Sequence, residues 1–142
     1  MKLRVVTHSE KETKELGRKI AENIKNTRKI IVLNGELGAG KTKFTEGFLS
    51  YYGLEKEISS PTFTIVNEYE NEKTKIYHFD VYRLLDIDEF YAIGGEEYFE
   101  KGICIIEWGE IIKEALPNHY IQIDIESEED NEDKRIFYIE EK

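Results

Sequence analysis

The sequence predicts an α/β domain built on a mixed parallel and antiparallel sheet, and three observations predict it. Leu16, Ile20 and Ile24 recur every four residues, the period of an amphipathic helix. Two continuous apolar runs, 29–34 and 103–107, have the length and character of strands buried on both faces, as parallel strands are. Two further pairs of strand-like segments flank short polar stretches, and such hairpins are antiparallel. A chain of 142 residues suits one domain, 1–142, because it can bury about 70% of its unfolded surface in a single core.

Each element has a local chemical cause. A short strand at 3–7 precedes Ser9 and Glu12, whose spacing is that of a capping box, so a helix opens there and runs to near Asn26. The buried run 29–34 leads into a glycine-rich loop and a helix from about 41 to 52, closed by Gly53. An irregular segment around Pro61 is followed by a strand at 64–69, a polar turn at 70–73 and a strand at 74–81. A helix begins at 86–91, and Gly94 and Gly95 punctuate the chain beyond it. After the buried strand at 103–107 come a short helix at 110–116, stopped by Pro117, and strands at 120–126 and 135–139. The acidic stretch 127–133 between the last two reads as a solvated hairpin loop.

Composition narrows the function classes. With 39% hydrophobic and 35% charged residues and a mean hydropathy of -0.57, the chain is expected to be soluble. A net charge of -10 argues against autonomous binding to nucleic acid, which needs lysine and arginine against phosphate. The N-terminal residues lack the apolar stretch of a signal peptide, and no apolar run is long enough to span a membrane, so a cytoplasmic location is expected. The lone cysteine, Cys104, sits in an apolar strand and reads as a small buried hydrophobe. His8, His78 and His119 show no metal-ligand spacing with one another or with it.

The chemistry lies in Gly35-Glu36-Leu37-Gly38-Ala39-Gly40-Lys41-Thr42, which fits the P-loop pattern at every fixed position. The glycines let backbone N–H groups turn inward on phosphates, Lys41 supplies a positive charge between the terminal phosphates, and the Thr42 hydroxyl suits magnesium. The helix after the loop aims its positive end at the same anion. A nucleoside triphosphate with Mg2+, ATP above others, is therefore the expected ligand of Glu36 to Lys43. The fold expectation becomes a P-loop NTPase-like three-layer sandwich.

A P-loop needs an acid that holds or orders the metal at the end of a neighbouring strand. Glu107 ends one apolar strand and Asp80 another, and the sequence leaves open which lies nearer the metal. Lys41, Asp80 and Glu107 are the catalytic candidates, and Thr42, Asp80 and Glu107 the metal candidates. Thr62, in a proline-anchored loop, stands where switch-type NTPases place a hydroxyl that senses the γ-phosphate. Trp108 reads as a core or interface aromatic. No guanine-reading motif is present, which disfavours a GTPase. Arg83 is the one arginine between the P-loop and the final strand, so slow intrinsic hydrolysis with activation by a partner is expected.

The strings GELGAGKT, SSPTFTIVNEY, YHFDVYRL and EYFEKGICIIEWGE together resemble the TsaE (YjeE) family of bacterial P-loop ATPases, over nearly the whole chain. The resemblance implies an ATPase assisting threonylcarbamoyladenosine modification of tRNA alongside a TsaD-like transferase and its TsaB-like paralogue, with tRNA held by those partners. It places the switch hydroxyl at Thr62, the acid of the HFD element at Asp80, and Glu107 and Trp108 in the IEW element. Lys43 departs from the family, where a second threonine is common. Two rival readings stand beside it: a non-catalytic nucleotide-dependent interaction module and a small-molecule kinase.

Overall fold

Ser9 opens helix α1 (Glu10–Glu22): its hydroxyl accepts the Glu12 amide at 3.1 Å, while Glu12 Oε1 accepts the His8 amide at 3.0 Å. One first-turn N–H is thus satisfied by the cap, and the Glu12 side chain reaches back to the amide just before it. The computed structural model describes residues 2–24, 29–35, 40–55, 66–81, 84–128 and 130–142. The helix stops at Glu22, short of the expected Asn26, because the Asn23 side chain turns back onto the Lys19 carbonyl at 2.7 Å. Such local amide bonds compete with helix continuation.

Among the described residues seven strands form one sheet: β1 (Lys2–Thr7), β2 (Ile30–Asn34), β3 (Val66–Glu70), β4 (Lys75–Asp80), β5 (Ile103–Glu107), β6 (Ile121–Glu128) and β7 (Asn131–Glu141), in the order β1-β7-β6-β2-β5-β4-β3. The centre is parallel, with β2 between β6 and β5, and β5 beside β4. Both edges are antiparallel. The mixed sheet expected from the sequence is therefore present, with hairpins at β3–β4 and β6–β7. Asn71 Oδ1 builds the first hairpin turn by accepting the Lys73 and Thr74 amides, each at 2.8 Å.

The central strands carry apolar side chains on both faces. Ile31, Leu33, Ile105 and Ile123 pack with Phe44, Phe48 and Leu49 of α2 (Lys41–Tyr51) and with Ala21 of α1. Ile30, Val32, Cys104 and Ile106 face the other way, onto Phe90 of α3 (Ile87–Ala92) and onto Ile112. This gives three layers, helix, sheet and helix. α1 and α2 touch backbone to backbone. A methyl placed on Gly17 would collide with the Phe44 carbonyl oxygen, and one on Gly47 with the Lys14 carbonyl.

Gly94, at φ 70°, separates α3 from a 3-10 helix, Gly95–Glu100, that the sequence did not announce. Two local expectations need correction. The helix expected at 110–116 is also 3-10, Gly109–Ala115, broken at Ile112. The acidic stretch 127–133 is largely strand: β6 runs to Glu128 and β7 starts at Asn131, with Ser127 opposite Arg135. Glu128 and Asp133 lie exposed on these strands, where charge carries little cost, and Lys134 pairs with Glu128 at 3.0 Å.

Candidate functional site

β2 is buried along Ile30–Leu33 and delivers Gly35 at the carboxyl edge of the sheet, where α/β proteins bind ligands. Glu36, Leu37, Gly38 and Ala39 lie outside the described residues, as do Thr62 and Arg83. The chain is described again at Gly40, whose φ of 102° and ψ of 9° suit glycine, and which serves as N-cap of α2. No side chain caps this helix, so the first-turn amides beyond Gly40 are available to an anion.

Lys41 is almost completely buried, at 5% exposure. Its ammonium donates to the Gly35 carbonyl at 2.7 Å, joining the two ends of the loop. It lies 3.6 Å from Glu107 Oε1 and 4.3 Å from the centre of the Trp108 ring. A desolvated ammonium above an indole face is held more strongly than an exposed one. Trp108 takes a left-handed backbone conformation, φ 65° and ψ 41°, and is the one non-glycine residue with positive φ among those described. Its amide donates to the Leu33 carbonyl at 3.1 Å, tying the end of β5 to β2.

Glu107 is the centre of the site. Its second oxygen, Oε2, lies 2.6 Å from His78 Nε2 on β4. Burial pushes the Glu107 carboxyl up, but the His78 hydrogen bond and charge, and then Lys41, outweigh it and hold the group below the usual carboxylate range. An ionised carboxylate only accepts, so His78 Nε2 carries the proton in this bond. Asp80 stands beside Glu107 in the β4–β5 register, and the two acids close the carboxyl ends of adjacent parallel strands. Thr42 is exposed on the first turn of α2. Lys43 points away toward the helix surface, 3.5 Å from Glu46 and 3.9 Å from Glu10.

The structure thus brings together Gly40, Lys41, Thr42, Asp80 and Glu107, and adds two residues that the sequence did not single out. His78 is one, and its signal was available: it lies two residues before Asp80, on the same face of a strand. Arg135 is the other, and no sequence pattern pointed to it. From β7 its side chain reaches the loop, with Cγ and Nε 3.6 Å from where a Cβ of Gly40 would sit. Asn34 and Asp124 meet at 3.0 Å beneath the loop on the β6 side. A cavity of about 460 Å³ lined by Lys29, Ile30, Phe99 and Pro117 lies at the opposite edge of the sheet, near the start of β2, and is separate from this site.

The donor set suits a magnesium nucleotide. Two carboxylates and one hydroxyl, with a lysine and an uncapped helix start, leave positions for phosphate oxygens and waters, as a magnesium ion that keeps several waters requires.

Comparison with known proteins gives the family. The family model described as "Threonylcarbamoyl adenosine biosynthesis protein TsaE" matches residues 7–137. Similar proteins named tRNA threonylcarbamoyladenosine biosynthesis protein TsaE occur in Bacillus subtilis, 40% identical across 89% of this chain and 78% of that protein, and in Haemophilus influenzae, 43% identical across 80% and 75%. The crystal structure of Bacillus subtilis YdiB superposes with a TM-score of 0.73 at 35% identity, covering 98% of this chain and 84% of that one. By sequence and by fold, this chain belongs to the TsaE family.

Proposed function

We propose that the chain binds and hydrolyses ATP with Mg2+ and thereby assists threonylcarbamoyladenosine modification of tRNA in the cytoplasm, as accessory to TsaD-like and TsaB-like partners. The observation that carries this reading is the contact of Lys41 with both the P-loop start and Glu107, which places the phosphate cation and the acid of a neighbouring strand at one point. An acid ion-paired to the P-loop lysine is poised to act on whatever that lysine binds.

Magnesium, when bound, supplies charge neutralisation at the phosphates; Thr42, Asp80 and Glu107 are the residues that would hold it or order its waters. The protein's own side chains do the rest. Lys41 exchanges the Gly35 carbonyl and Glu107 for phosphate oxygens, and the α2 amides bind the same anion. Glu107, released from Lys41, orients the attacking water and can accept its proton. Arg135 adds positive charge beside Gly40 on the β7 side, away from the two acids. Thr62 would report the γ-phosphate toward a partner. The charge of -10 fits a protein whose partners hold the tRNA.

The test is ATP turnover, alone and with the two partner proteins, for the wild-type chain, Lys41→Ala and Glu107→Gln. Strong partner stimulation, lost in both variants, is expected. Undiminished turnover in both variants would sink the reading. Full support of tRNA modification with a non-hydrolysable analogue would instead favour the nucleotide-dependent interaction module.

A further inference from the structure

We propose that His78 is the positioning residue of the site: it keeps Glu107 aimed at the phosphates once Lys41 has let go of it. The proposal rests on the ATPase reading above and deepens it. Glu107 has two anchors, one per oxygen. Oε1 faces Lys41 at 3.6 Å and Oε2 faces His78 at 2.6 Å. These anchors differ in kind. Lys41 is the group that a phosphate claims, so binding removes that contact. His78 has no such competitor, because it sits on β4 behind the carboxylate, two residues down the strand from Asp80.

The sheet makes the placement rigid. Ile76, His78 and Asp80 share the face of β4 that turns toward α2, and Ile105 and Glu107 share the same face of β5. Ile76 and Ile105 are fully buried beneath them. An imidazole thus occupies the layer between an apolar floor and the acids above, only 17% exposed, where an aliphatic side chain would pack as well. Its polar edge has one described partner, Glu107. A carboxylate held by a donor on a neighbouring strand keeps its rotamer without a second tether, which is the geometry that a water-orienting acid needs. Partners of this kind behind a working ligand are typically worth 10–100-fold in function.

Two measurements test it. In the magnesium-free chain with 15N-labelled histidine, the Nε2–H resonance of His78, assigned by its loss in His78→Gln, should stay hydrogen-bonded on saturation with ADP. A shift to the solvent-exchanging position would overturn the proposal. In partner-stimulated turnover, His78→Ala should lower kcat about 10–100-fold while the ADP affinity changes less than about threefold. His78→Gln, which can donate from nearly the same position, should recover most of the rate, and His78→Ala should cost nothing further in a Glu107→Gln background. A fall in nucleotide affinity or melting temperature that accounts for the lost rate, or additive effects in the double variant, would refute it. A wild-type chain that binds ADP but never hydrolyses ATP would fail the enzymatic reading while the resonance still judged the contact; one that binds no nucleotide would overturn both.

Discussion

Replacing Gly47 with alanine should destabilise the chain, although alanine is the better helix former. Taken alone, the change relieves about 1 kcal/mol of helix propensity. The added methyl, however, would sit 2.6 Å from the Lys14 carbonyl carbon and 2.7 Å from its Cα. Both are backbone atoms of α1 and cannot rotate away, and the carbonyl oxygen lies closer still, so the helices must part by about 1.5 Å to restore ordinary contact. Over-packing of this kind costs about 3 kcal/mol, the upper part of the usual range, because both faces are rigid. The net loss is about 2 kcal/mol, a fall of about 4–8 °C in Tm for a chain of this size. Thermal and urea denaturation would measure it. Gly53→Ala is the control: the glycine has φ 74° and open space around it, so it should lose only about 1 kcal/mol of left-handed backbone preference. A Gly47→Ala chain as stable as wild type would refute the claim that α1 and α2 meet backbone to backbone. It would also remove the reason for expecting α2, which carries Lys41 at its first turn, to be fixed by α1.

Other consequences concern the site. Because the folded Glu107 carboxyl is held below its ordinary value, its stabilisation is present above about pH 4.3, the unfolded value, and is lost as pH falls through the lower folded one. The stability gap between wild type and Glu107→Gln should therefore shrink below that pH in guanidinium denaturation, and a gap independent of pH would contradict the His78 and Lys41 contacts. Arg135→Met keeps the aliphatic stem against Gly40 and removes the charge; ADP affinity should fall about tenfold, the loss of one charged contact, with Tm nearly unchanged. Unaltered affinity by calorimetry would confine Arg135 to packing. Cys104 is fully buried, and burial pushes its thiol up to about 12, so a maleimide should label the native chain far more slowly than the denatured one. Equal rates would argue that β5 opens readily.

How much of this was legible in the sequence depended on how far apart the interacting residues lie. The P-loop and the two strand-ending acids are local patterns: each is a short run whose period and last residue mark both an element and its site. Lys41 and Glu107 could be named separately, but their 3.6 Å contact is a consequence of β2 lying beside β5, which only the sheet order reveals. The left-handed backbone of Trp108 was hidden because no glycine or asparagine announces it. Arg135 was invisible for a different reason. A search for arginines between the loop and the last strand stops just short of it, whereas the fold returns β7 to the edge of the loop beside β6. The acidic stretch 127–133 misled because a polar run reads as a loop, yet here the β6–β7 hairpin runs on past the ends of both neighbouring strands, where charge is solvated.

The sheet order also divides the charged groups around Lys41. Glu107 and Asp80 lie on the β5–β4 side of β2, while Asp124 and Arg135 lie on the β6–β7 side. Lys41 sits at the division and leans toward the acids. Its ammonium is already served by the Gly35 carbonyl, by Glu107 and by the Trp108 ring, so a phosphate gains only the difference between two satisfied states. On the reading proposed above, nucleotide affinity would then depend as much on these contacts of Lys41 as on those it makes to phosphate. The groups that hold it, Glu107 and Trp108, are consecutive residues at the end of β5, succeeded at once by the irregular 3-10 segment Gly109–Ala115. The grip on Lys41 is thus set by the end of β5 and not by the loop alone.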